Sequence, residues 1–118
     1  MVRNVNMGGA RLGEYVYLKR GDSFELDINF EYKGIAQNAE FQLDMKQGAF
    51  GTRYDCGSNT GAVKEATDWE PRTAKFSFVV PSGVDDGKND LQLHITMADG
   101  EHDESSWLLS CIWISPEE

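Results

Sequence analysis

Residues 23–32, SFELDINFEY, carry Phe24, Leu26, Ile28, Phe30 and Tyr32 on every second position, with Glu25, Asp27, Asn29 and Glu31 between them. A period of two puts the five apolar side chains on one face of an extended chain and the four polar ones on the other. A helix would scatter the same residues around its circumference. The turn-forming sequences Arg20-Gly21-Asp22 and Lys33-Gly34 bound the run, so it reads as one strand with one wet face.

Working outward, the alternation recurs in Phe41, Leu43 and Met45, in Phe76, Phe78 and Val80, and in Leu91, Leu93, Ile95 and Met97. Residues 14–19, rich in Tyr and Val, read as a first strand. Residues 106–115, SWLLSCIWIS, are apolar on both faces, as a central or doubly covered strand would be. Residues 35–47 favour helix by propensity but alternate like a strand through Ala39, Phe41, Leu43 and Met45, and the alternation is given the greater weight. Residues 48–70 are the least periodic, with room for a sixth or seventh strand. Pro81-Ser82-Gly83, Asp85-Asp86-Gly87 and Asp99-Gly100 supply further turns, and none of Pro71, Pro81 and Pro116 interrupts a predicted strand. The expected fold is all-β: an antiparallel two-sheet sandwich of six to eight strands, with a barrel as runner-up. At 118 residues the chain fits one domain, placed at residues 13–118 behind an N-terminal arm of residues 1–12.

Two stretches, KRGDSFELDINFEYKG and TAKFSFVVPSGVDDGKNDLQLHITM, resemble the glycine-led second strand and the penultimate strand pair of immunoglobulin-like modules in microbial surface and secreted proteins, including the cell-adhesion-related type. Together they cover about a third of the chain. The pattern departs from antibody domains: no cysteine pair flanks a central Trp, and Asn89 and Asp90 stand where a corner Tyr would precede Leu91. The resemblance implies a non-catalytic role as spacer, adhesion or ligand-binding unit, and an extracellular or cell-surface setting; the composition alone leaves the compartment open.

The net charge of −9 is unevenly placed: residues 1–84 hold 11 acidic and 10 basic side chains, residues 85–118 hold 9 acidic and only Lys88. No Lys/Arg cluster offers a footprint for nucleic acid, and no apolar run is long enough for a membrane helix. The expected partner is a protein or a glycan, with homo-oligomers through open edge strands. No nucleophile elbow, HExxH, P-loop or dinucleotide-binding glycine pattern is present, so the chain is expected not to be an enzyme and to require no cofactor.

Three sets of residues remain as candidates. Two acidic loops offer oxygen ligands for calcium: Asp85, Asp86, Asn89 and Asp90 in the first, Asp99, Glu101, Asp103 and Glu104 in the second. Solvated turns use the same residue types. Trp69, in TDWEPR, and Tyr54 offer stacking surfaces for a sugar, so a carbohydrate-binding or carbohydrate-active domain using Trp69 and the acidic loops is the alternative function. Trp107 and Trp113 read as core, and His94 as a solvated strand residue. Cys56 and Cys111 either form one disulfide or stand as separate thiols.

Overall fold

The computed structural model describes residues 1–7, 16–47, 51–84, 86–105 and 107–114. Nine strands follow one another among these residues: β1 (Val2–Met7), β2 (Val16–Leu18), β3 (Ser23–Gly34), β4 (Gln37–Lys46), β5 (Tyr54–Val63), β6 (Ala66–Val79), β7 (Gly87–Met97), β8 (His102–Glu104) and β9 (Leu108–Ile114). No helix occurs among the described residues, and none is therefore long and apolar enough to cross a membrane. One sheet has the order β1-β3-β6; the other has the order β2-β9-β7-β4-β5, with β8 paired to β7. Every pairing is antiparallel except that of β2 with β9.

The alternating apolar residues line one core shared by both sheets. Leu26, Ile28, Phe30 and Tyr32 of β3 are buried from one side, and Phe41, Leu43, Met45, Leu91, Leu93, Ile95 and Met97 of β4 and β7 from the other. Phe41 joins the two, with its ring centroid 5.9 Å from Phe30 and 4.8 Å from Phe76. Burial of Ala39, Phe41, Leu43 and Met45 overrides the helix propensity of residues 35–47.

Four features refine or depart from the sequence-based expectation. Val2–Met7, placed in an arm outside the domain, is strand β1, antiparallel to β3 and contributing Val5 to the core. The poorly periodic stretch holds β5 and the start of β6, and Pro71 lies inside β6. That position is tolerable because β6 is the edge of its sheet, where a missing N–H costs no ladder hydrogen bond. Trp107 and Trp113 are half-buried rather than core. Trp113 packs beside the exposed Tyr17, and Trp107 lies under the Lys46 ammonium, 4.2 Å from its ring centroid, with the Arg53 guanidinium at 5.3 Å. Finally, Cys56 is a buried free thiol. The side chain of Cys111, the other cysteine of the expected alternatives, lies outside the described residues.

Candidate functional site

Because Leu91, Leu93, Ile95 and Met97 of β7 point into the core, Gln92, His94 and Thr96 must leave the opposite face; on β4 the same alternation sends Gln42 and Asp44 outward. Pairing sets Gln42 opposite His94, His94 opposite Glu104, and Thr96 opposite His102. Strand β8 is held in that register by Ser105, whose N–H donates to Leu93 O at 2.9 Å and whose hydroxyl accepts from Leu93 N–H at 3.0 Å. The result is a cluster of two imidazoles and two carboxylates on the outer face of the six-stranded sheet.

Within it, His94 Nδ1 lies 3.1 Å from Glu104 Oε2 and 3.4 Å from His102 Nε2. The two rings stack with centroids 5.4 Å apart. Each histidine's other nitrogen also meets a polar group: His94 Nε2 is 3.0 Å from Asp44 Oδ2, and His102 Nδ1 is 3.0 Å from Thr96 Oγ1. The Asp44 contact is close but off the line an aligned hydrogen bond requires, which leaves His94 Nε2 buried against a charge without a directed partner. Asp44 is fixed in turn by Gln42 Nε2, which donates to Oδ1 at 3.1 Å, and by Arg53 Nη1 at 3.7 Å. The side chains of Asp44 and His94 are only 6% and 15% exposed, whereas Glu104 is 52% exposed, so the cluster opens to solvent on the Glu104 side. His94 is thus not the solvated strand residue expected from its sequence.

Among the described residues, the two acidic loops do not bring their expected ligands together. Asp85 lies outside the described residues. Asp86 pairs with Arg20, which also donates from Nε to Val84 O at 2.7 Å. Asn89 and Asp90 are consecutive residues of β7, so their side chains leave opposite faces of the sheet. In the second loop, Asp99 Oδ1 accepts from Glu101 N–H and Oδ2 from Gln37 Nε2, and these bonds, the first above all, hold its carboxyl below the usual range. Asp103 and Glu104 are neighbours on β8 and diverge in the same way, so of the seven described residues of the two sets only Glu104 joins a group of three potential ligands. His94, His102 and Glu104 are the one set of three potential ligands among the described residues, with donor atoms all within 4.8 Å of one another.

Trp69 stands on β6 rather than in a loop, half-buried, with the Arg3 guanidinium 3.9 Å above its ring. Arg3 is itself paired with Glu31, whose carboxyl is held below its usual range by Asn4 first and Arg3 second. Tyr54 packs against the core beneath Gly83. Neither aromatic is a free platform.

A cleft of about 490 Å³ opens between the edge strands β5 and β6. Phe30, Phe41 and Phe76 floor it, and Lys64 and Arg72 stand on its rim. At one point Asn59 Nδ2 ties the two edges by donating to Ser77 O at 2.9 Å.

No protein-family model and no curated protein matches this chain. Among solved structures it is similar to Spo0M, a sporulation control protein from Bacillus subtilis, at 13% identity and a TM-score of 0.49, over 98% of this chain and 49% of that one. The chain spans about half the length of that protein.

Proposed function

We propose that this chain is a non-catalytic, immunoglobulin-like β-sandwich module that works in structural assembly, pairing with a second copy of itself along β5. Support for the architecture comes from strand order. In an immunoglobulin-type sandwich the first, second and fifth strands share a sheet, while the third, sixth and seventh form the other, extended in variable-type domains by a strand beside the third. The orders β1-β3-β6 and β9-β7-β4-β5 are compatible with that partition, with β8 added between the last two strands, β2 added parallel to β9, and no counterpart of the fourth strand among the described residues.

The observation that carries the assembly reading is the chemistry of β5. Residues 58–63, SNTGAV, run in regular register with β4 and contain no charge and no proline. No strand among the described residues pairs with their outer side, which borders β6 across the cleft and meets it through the Asn59 side chain. Exposed edges are ordinarily blunted by lysine, proline or a bulge; β5 is bulged at Cys56 and Gly57, but beyond them residues 58–63 carry none of these and offer a template for another strand. The opposing edge makes the contrast: β6 carries Pro71, Arg72 and Lys75. The carbohydrate alternative has less support, because Arg3 covers one face of Trp69 and Asp99 is engaged within its own turn.

Sedimentation velocity over a concentration series tests the reading. The wild type should pass from monomer to dimer, and Thr60→Lys, which puts a cation on the open edge, should remain monomeric. A wild type that stays monomeric up to millimolar concentration, or a variant that dimerises equally well, would remove β5 as the assembly surface.

A further inference from the structure

We infer that His94 Nδ1, His102 Nε2 and a Glu104 carboxylate oxygen form a binding site for a divalent transition-metal ion, with zinc as its best fit, on the outer face of the six-stranded sheet. The site is independent of the assembly surface on β5.

Spacing is the first ground. Zinc binds imidazole nitrogen at about 2.0–2.1 Å in tetrahedral geometry, so two of its ligand atoms lie about 3.4 Å apart. His94 Nδ1 is 3.4 Å from His102 Nε2 and 3.1 Å from Glu104 Oε2. Three ligands leave a fourth position for water on the side where Glu104 is open to solvent.

The second ground is what stands behind the ligands. A metal-binding imidazole commonly has its remote nitrogen held by a carboxylate or another oxygen, which fixes the tautomer and aims the ligating nitrogen. His102 has this arrangement, and His94 has the carboxylate at the same distance though off the hydrogen-bond line. Asp44, almost fully buried, sits 3.0 Å behind His94 Nε2, and Thr96 Oγ1 sits 3.0 Å behind His102 Nδ1. A buried carboxylate in ion-pair range of a buried nitrogen that has no directed hydrogen-bond partner is not the arrangement of a merely wet sheet face, where water would serve either group.

Donor type is the third ground. Two nitrogens and one carboxylate favour zinc and its neighbours, whereas calcium requires six to eight oxygens. Glu104 therefore belongs to a nitrogen-rich site and not to the calcium set in which its loop first suggested it. Cys56 does not compete, because it is buried on β5 and is not among the donor atoms that converge on this site.

The test is isothermal titration of EDTA-treated, dialysed protein with zinc chloride, with calcium chloride as control. Wild type should bind one zinc per chain and no calcium, and its cobalt(II) complex should show the visible bands of a tetrahedral ion. At a hundredfold excess over Kd, zinc should raise Tm by about 10 °C. His102→Gln changes an exposed side chain, so it should fold normally and lose the binding. Asp44→Asn should keep the stoichiometry but weaken affinity about 10- to 100-fold, the effect of loosening a positioning carboxylate. Absence of zinc binding in the folded wild type would overturn the site, leaving a histidine shared between Asp44 and Glu104 by proton alone. So would undiminished binding by His102→Gln.

Discussion

Cys56 is 3% exposed on β5, and burial first, then repulsion from Asp55 and Asp44, raises its thiol from an ordinary 9.0 to about 12. The folded protein therefore keeps a neutral thiol over a range in which the unfolded chain releases a proton. The stability from this difference is fully present below about pH 9 and is lost as pH rises toward 12. Urea unfolding from pH 8 to pH 11 should accordingly show the wild type losing stability more steeply than Cys56→Ala, and parallel slopes would refute the buried-thiol account. At pH 8 a disulfide reagent should modify Cys56 only after unfolding. Residue by residue, the sequence disclosed the inward members of each strand far better than their outward neighbours. His94 had a solvated appearance because Asp44 of β4 is distant in sequence, and His102 and Glu104 of β8, eight and ten residues on, meet it only through strand pairing. The signal that could have united them was the Asp99-Gly100 turn: a hairpin there sets Thr96 opposite His102 and His94 opposite Glu104.

Elements were legible wherever a period of two ran unbroken, and obscure wherever a bulge interrupted it. In β1 the apolar residues Val2, Val5 and Met7 are spaced by three and then two. The register explains the irregularity, since Arg3 to Asn6 on β1 spans the same length of ladder as Glu31 to Asn29 on β3. Asn4, with φ of 54°, sits in that extra-residue bulge, a left-handed conformation that asparagine tolerates better than most. Strand β5 repeats the device. Ser58 pairs with Gln42 and Asp55 with Asp44, so two residues of β5, Cys56 and Gly57, oppose Leu43 alone. Gly57 takes φ of 105° with nothing within 4 Å of where a Cβ would stand. Gly57→Ala should thus meet no steric clash but suffer backbone strain, costing about 1–2 kcal/mol in urea unfolding. A cost near zero would mean that the bulge can shift without a left-handed residue. Strand β8, at three residues, was too short for any periodicity to register.

At the scale of the whole molecule, the question is whether the two sheets fold as one unit. Their edges touch in few places, and the cleft between β5 and β6 cuts toward the middle of the interior. Phe41 is the side chain that closes the gap: it is 1% exposed, belongs to the six-stranded sheet, and packs on Phe30 and Phe76 of the other. Removing a buried aromatic ring costs about 3–5 kcal/mol in lost burial and residual cavity. That is a large share of the roughly 5–15 kcal/mol by which a domain is stable. If the shared interior makes folding cooperative, Phe41→Ala should lower the urea midpoint strongly while fluorescence and far-ultraviolet circular dichroism still report one coincident transition. Trp69 lies on one sheet and Trp107 and Trp113 border the other, so fluorescence samples both sides of the interface. Separate transitions in the wild type would mean that the three-stranded and six-stranded sheets melt independently. The sequence alone could not decide between these outcomes, because alternation shows that each strand has a buried face but not which opposing face covers it.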